Sequence, residues 1–266
     1  MSTSRPMHES GGSLASRLLP LVPESRHPLD PALTFAREAA DRFTKVHDYS
    51  CTLVKRERID GRLIAPQRLM VKVRQRPFSV YLKQLTPRSL AGQEVIYVEG
   101  KNDNKLVAHT TGLKHRFVGA VKLKLDGAIA MHNNRYPITE IGILRLLERV
   151  IEVGQDDRND AECRVTYFDR RSVDGRPCSG VEVVHPEAKA GCLYHLARVY
   201  IDEELQVPIR FEAYTWPEEG SDELRLVEEY TYTDLRLNEG FDDDDFSPQN
   251  QAYAFARAGH SAMAQQ

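Results

Sequence analysis

Four cysteines and one tryptophan in 266 residues, no long apolar run and almost no net charge set the first limits on this chain. Cysteines this sparse (Cys51, Cys163, Cys178, Cys192) cannot form the dense disulfide framework of a small secreted scaffold. No stretch reaches the roughly 18 consecutive apolar residues of a membrane-spanning helix, so no transmembrane segment is expected. With 36 Lys+Arg against 39 Asp+Glu the formal charge is −3. By its sum this indicates neither a nucleic-acid binder nor an acidic tail protein. A secretory signal is not visible either: the one apolar run near the start, Leu14 to Val22, is broken by Ser16, Arg17 and Pro20. The compartment stays open between the cytoplasm, a signal upstream of Met1 and another export route.

Catalytic signatures are missing as well. There is no Gly-x-Ser-x-Gly elbow, no His-Glu-x-x-His and no phosphate loop, and the Gly-Gly-Ser at residues 11–13 has neither strand nor helix around it. The carboxylates of Asp169 to Asp174 and Asp242 to Asp245 fall in turns, where capping and solvation account for them. No enzyme and no cofactor is expected. Cys163, Cys178, Cys192, His185 and His195 lie within 33 residues, but the only close pair is Cys192-x2-His195 and the other intervals match successive strands. No metal is predicted from that spacing.

What is present is 41% hydrophobic residues, enough for a substantial core. Residues 1–27 mix Ser, Gly, Pro and charge without period and read as a flexible leader; residues 251–266 are small and polar and read as a flexible tail. The single domain expected between them, 28–250, opens with a helix. Asp30 is a suitable N-cap, Pro31 suits the first helical position, and Leu33, Ala36, Ala40, Phe43 and Val46 recur at spacings of three or four.

Strands follow. Tyr49 to Ile59 alternates, with Tyr49, Cys51 and Leu53 set against Ser50, Thr52 and Lys55, and Asp60-Gly61 turns the chain. Further strands are predicted around Leu69 to Val73, from Phe78 to Leu82, Val95 to Val98, Lys105 to Thr110 and Val121 to Leu125. The rhythm breaks at Glu140 to Val153, where Ile141, Leu144, Leu147, Val150 and Ile151 repeat at helical spacing until Gly154. Five more strand segments come after it: Cys163 to Arg171, Cys178 to His185, Leu193 to Asp202, Pro208 to Trp216 and Leu224 to Leu237. Crossover helices between strands are missing, so the sheet is antiparallel. The class is therefore α+β: a strongly curved antiparallel half-barrel of about ten strands with helices covering its concave face.

Several segments in this order resemble the lipoprotein-carrier superfamily, the LolA, LolB and LppX type of envelope protein, and an uncharacterised bacterial family within it. They are Asp48-Tyr49-Ser50-Cys51-Thr52-Leu53 after the first helix, Val71-Lys72-Val73-Arg74-Gln75-Arg76-Pro77, Tyr136-Pro137-Ile138 leading the middle helix, Val199 to Ile209 as a late hairpin with a Pro-led strand, and Thr233 to Phe246 closing on Asp243-Asp244-Asp245-Phe246. The chain departs from the pattern at Gly100 to Lys105, at Gly112 to Asn134 and in having no lipobox cysteine near its start. The resemblance implies a periplasmic or cell-envelope protein that holds a lipid, acyl chain or lipoprotein on the concave face of an unclosed barrel. It also implies that Arg76, at the Arg-Pro position, latches the helical lid.

On this reading the ligand-binding residues are Val71, Val73, Phe78, Val80, Leu82, Val95, Tyr97, Val165, Val181, Val183, Val199, Ile201 and Phe211, with Leu69 and Ile209 in the same inward rows. The alternation itself fits a packed core equally well. Trp216, Tyr214, Tyr230 and Tyr232 form either an aromatic rim or ordinary cross-strand pairs. The alternative function is an envelope or surface interaction protein with a filled core that docks through charged strand faces. Charge distribution bears on it: residues 51–124 carry 16 Lys+Arg and 5 Asp+Glu, whereas residues 200–250 carry 3 and 16. Either the basic 51–124 face, Lys72 and Arg74 included, meets an anionic partner, or the two blocks neutralise one another.

Overall fold

The computed structural model describes residues 27–109, 120–189 and 191–255. The expected leader up to residue 26, Thr110, and residues 256–266 of the expected tail lie outside the described residues. Helix α1 (Asp30–Phe43) is followed by β1 (Asp48–Ile59), β2 (Arg62–Leu63), β3 (Gln67–Arg74), β4 (Ser79–Thr86), β5 (Glu94–Val98), β6 (Leu106–His109) and β7 (Val121–Leu123). Helix α2 (Ile143–Asp157) precedes β8 (Arg164–Val173), β9 (Arg176–Val184), β10 (Leu196–Asp202), β11 (Pro208–Thr215) and β12 (Arg225–Leu237). The strands make one 12-stranded sheet in the order β7-β6-β5-β4-β3-β1-β12-β11-β10-β9-β8, with β2 attached to β1. All pairings are antiparallel, and β7 and β8 are not paired with each other, so the sheet is an unclosed, curved half-barrel.

The chain's first and last strands sit side by side at the centre of this sheet, with Tyr49 opposite Leu237 and Leu53 opposite Tyr232. Burial alternates along β1 as the pleat requires: Tyr49, Cys51, Leu53, Lys55 and Glu57 are buried, their neighbours less so. Lys55 therefore belongs to the inward row, not the outward one expected for a charge. The period of two places it there regardless of its chemistry, and its partners are internal.

The helices lie on the concave face. Phe43, Ala39 and Ala36 of α1 and Ile143 and Leu147 of α2 pack with Cys51, Leu53, Val71, Val73 and Ile209. The two helix boundaries differ from the sequence reading. Asp30 is the first helical residue, Leu29 the N-cap, and the Asp30 carboxylate accepts from the His27 amide at 3.1 Å. Gly154 does not end α2, which runs on to Asp157. A Cβ at Gly154 would lie 2.9 Å from Leu33 Cδ2, so the glycine makes room for the α1 side chain against α2.

The convex face of β4 to β6 is covered too. Tyr81, Ile96, Val98 and Val107 pack with Phe246, Tyr253 and Phe255, and Tyr253 stacks on Tyr81 with ring centroids 4.0 Å apart. The expected tail is thus ordered packing as far as Phe255, because its two aromatic rings bury apolar surface that the small residues around them do not reveal. Among the described residues no helix is long and apolar enough to cross a membrane.

Candidate functional site

Between the helices and the sheet lies a cavity of about 1100 Å³. Its walls are largely aliphatic: Leu53, Leu69, Leu82, Val95, Leu106, Val181, Val183, Val199 and Phe211 from the sheet, Leu33 from α1, and Leu146, Val150 and Val153 from α2. The 128–138 connection lines the remaining side, where Ile129 is 74% exposed.

The thirteen residues expected to line a site fall in three places. Leu82, Val95, Val181, Val183, Val199 and Phe211 line the cavity. Val71 and Val73 are packed beneath the helices, Val80 is fully buried, Tyr97 sits in a small cluster with Leu106 and Ala108, and Val165 and Ile201 pack beside Val181 and Val199 without lining the space. Phe78, just before β4, lines a separate crevice with Val73 and Arg76. Of the aromatic set, Tyr230 and Tyr232 line the cavity interior, not a rim. Tyr214 lies under the Arg198 guanidinium, and Trp216 donates to the His185 carbonyl at 3.1 Å.

One end of the cavity is polar, and the sequence pattern did not reveal it. A row runs across four adjacent strands: Gln84, Gln67, Lys55 and Tyr230, with Gln84 donating to Gln67 at 3.3 Å. Lys55 Nζ bonds Glu57 at 2.7 Å and Asn134 at 2.6 Å. Tyr230 donates to Glu57 Oε1 at 2.5 Å and to Glu228 Oε2 at 3.3 Å. Glu228, buried to 1%, also accepts from Tyr194, from Tyr136 at 3.2 Å and from Arg135 Nε at 3.0 Å. Burial pushes the Glu228 carboxyl up, against the pull of Tyr194 and Arg135. The Tyr230 hydroxyl is held well above its ordinary value, first by burial and then by Glu228 and Glu57. Both carboxylates are saturated by protein donors, which suits a fixed polar patch. At the wall on α2, Arg149 bonds Glu152 at 2.8 Å through one nitrogen, while its buried Nε has no partner among the described residues.

The lid is fastened from the sheet by tyrosines. Tyr49 on β1 accepts the Ile143 amide at 3.0 Å, capping the first turn of α2, and the neighbouring Gly142 amide reaches Tyr232 on β12. Gly142 has φ +117°, and a Cβ there would stand 2.4 Å from the Tyr49 hydroxyl, so only glycine lets α2 start this close to the sheet. Arg76 is exposed at the crevice that also borders Leu144, Arg145 and Glu148 of α2, and forms no hydrogen bond or ion pair with a described residue.

The basic face has internal partners. Lys72 pairs with Asp245 at 2.6 Å and lies over the Phe241 ring, and Arg74 pairs with Asp243 at 2.9 Å and lies over Phe246. Lys101 also reaches Asp243, at 3.4 Å. The adjacency of β1 and β12 brings the acidic C-terminal segment back onto the basic strands, so Lys72 and Arg74 are committed within the molecule.

No curated protein matches the sequence. Among solved structures the chain is similar to a DUF1329 family protein from Desulfovibrio piger, at 12% identity and a TM-score of 0.40, covering 83% of this chain and 98% of that one. It is similar to a putative outer membrane lipoprotein-sorting protein domain from Vibrio parahaemolyticus, at 12% identity and TM-score 0.38, covering 81% and 95%. It is also similar to the lipoprotein LppX of Mycobacterium tuberculosis, at 13% identity and TM-score 0.36, covering 80% and 98%. The family model described as protein of unknown function DUF1571 matches residues 46–255, which hold the whole described sheet, α2 and the C-terminal segment as far as Phe255. By that match the chain is a member of the DUF1571 family.

Proposed function

We propose that this protein binds an amphipathic ligand, a lipid or acyl chain, without transforming it, and holds it between the half-barrel and its two helices. The observation that carries the reading is the cavity: about 1100 Å³, just above the roughly 300–1,000 Å³ typical of small-molecule pockets, with largely aliphatic walls and polar groups from the sheet and from α2. Each methylene moved from water to such a wall contributes about 0.8 kcal/mol. A chain of about twelve methylenes would therefore contribute roughly 10 kcal/mol before the costs of association. Arg149 Nε, without a partner among the described residues, supplies the complementary half, a donor for an anionic or hydrogen-bonding headgroup. The sequence resemblance to lipoprotein carriers supports the same reading and suggests the cell envelope as its setting.

A filled-core docking protein is less well supported, since the core is not filled and Lys72 and Arg74 already have partners. The test is native mass spectrometry after gentle purification, together with titration of a fluorescent fatty acid. Co-purified lipid or saturable uptake is expected. A protein that is always empty and takes up no fatty acid refutes the proposal.

A further inference from the structure

At the far end of α2 three side chains from separate segments converge. Asp160 follows the helix, His185 follows β9, and Cys192 lies in the connection to β10. His185 Nδ1 is 2.9 Å from Asp160 Oδ2 and 3.5 Å from Cys192 Sγ, and Cys192 Sγ is 3.9 Å from Asp160 Oδ2. Zinc bonds of about 2.3 Å to sulfur and 2.0–2.1 Å to nitrogen or oxygen, at tetrahedral angles, require sulfur-to-nitrogen edges of about 3.5 Å and nitrogen-to-oxygen edges of about 3.3 Å. The three observed edges match that triangle to within about 0.4 Å.

The other ring nitrogen adds an independent observation. His185 Nε2 faces Asp157 Oδ1 at 3.1 Å, so a carboxylate accepts from the nitrogen that would not bind a cation; Nδ1, which donates to Asp160 Oδ2 in the metal-free protein, would bind one on giving up that proton. That is how proteins orient a metal-binding histidine. His185 is buried to 3%, and Asp160 Oδ1 is held by Lys189 at 3.1 Å, which leaves Oδ2 turned toward the histidine and the thiol. Of the cysteines and histidines grouped by sequence, Cys178 instead donates to the Arg176 carbonyl and His195 bonds the His185 carbonyl, so neither belongs to the cluster. The ligand that sequence spacing lacked is an aspartate outside that group.

We propose that Asp160, His185 and Cys192 form a binding site for a divalent cation of the zinc class, with the fourth position left to water or another ligand. Binding requires the Cys192 thiol, and His185 Nδ1 where it is protonated, to release their protons to solvent. Because Asp157 and Asp160 lie at the end of α2 while His185 and Cys192 lie on the sheet side, the ion would tie the covering helix to the sheet at the end opposite Tyr49 and Gly142.

Reduced, chelator-stripped protein titrated with Zn²⁺ against a chromogenic chelator tests it. One equivalent bound at micromolar affinity or tighter is expected, with the melting temperature raised by about 5 °C or more at a hundredfold excess over Kd. Cys192→Ser, at a half-exposed position that should still fold, is expected to weaken binding about 100-fold or more. Co²⁺ should give a thiolate-to-metal absorption band in the wild type that disappears in this variant. Absence of stoichiometric Zn²⁺ binding overturns the site, and so does a Cys192→Ser protein that binds as tightly with the Co²⁺ spectrum unchanged. In either case the cluster is a histidine held between two carboxylates and nothing more.

Discussion

The junction of Tyr49 and Gly142 allows a test of how the lid is seated. Tyr49→Phe keeps the ring and its edge contact with Phe43 at 5.5 Å but strips the acceptor from the buried Ile143 amide. Leaving such a donor unpaired costs about 1–3 kcal/mol. Gly142→Ala imposes a side chain on a φ of +117° and sets a methyl 2.4 Å from the Tyr49 oxygen. The backbone strain alone is about 1–3 kcal/mol, and relief of the clash must displace either the helix start or the tyrosine. In the double variant the clashing oxygen is gone, and the nearest remaining ring atom, Cζ, is 3.7 Å from the methyl, an ordinary contact. The hydrogen bond is also lost only once. The double variant should therefore be less destabilised than the sum of the singles by about 1–2 kcal/mol, well beyond the roughly 0.5 kcal/mol scatter of independent sites. Urea unfolding of the four proteins, with slopes compared to confirm a common transition, measures this. Additivity within about 0.5 kcal/mol would show that the hydroxyl and the glycine do not share one contact, and the account of the lid would fail.

Other predictions concern the cavity, the convex face and pH. Val199→Trp and Val181→Trp should reduce fatty-acid uptake at least about tenfold with little loss of stability, because they grow into open space, whereas Val71→Trp, at a fully packed position, should cost about 1–3 kcal/mol or more. Equal destabilisation in all three, by thermal melting, would contradict the cavity. Phe246→Ala should cost about 3–5 kcal/mol and raise exchange of the β4 and β5 amides, since its ring covers their convex face; unchanged protection would show that the C-terminal segment is not seated there. Burial alone would raise the Asp202 carboxyl, but Arg176 and the Leu205 and Glu204 amides outweigh it and hold its value below the usual 3.8. A depressed folded value gives stabilisation that is present above about pH 4 and lost as the pH falls through it, so Asp202→Asn should flatten stability against pH in that acid range and leave its slope near neutrality alone. An unchanged acid slope in that variant would remove Asp202 from the account.

Much of the architecture is legible in the residues. Alternation located the strands, helical spacing located both helices, and the absence of crossover helices gave the antiparallel order. The inward row of β9 and β10 was legible too, since Val181, Val183 and Val199 are apolar residues at period two. Where apolarity and geometry part company, legibility ends. Lys55, Glu57 and Glu228 occupy inward positions, but a charge in a strand looks outward until its partners on other strands are known. Gly154 resembles a helix stop because its reason, the approach of Leu33, is tertiary. Tyr49 looks like any inward aromatic until α2 is placed above it. Whether an inward residue meets a neighbour or open space depends on where the helices rest, and that separates Val71 from Val199.

The sheet order carries a mechanical consequence. Its two margins among the described strands, β7 and β8, are also the two ends of one continuous stretch, residues 124–163, and that stretch contains the 128–138 connection and α2. The chain is thus strung across the open arc like a cord across a bow. Any flattening of the arc that widens the gap between its margins must pull on the cord, and any lifting of the cord must let the margins move. The spacing of the margins and the seating of the cord are then a single degree of freedom, governed by how firmly the cord is pinned at its two helix ends.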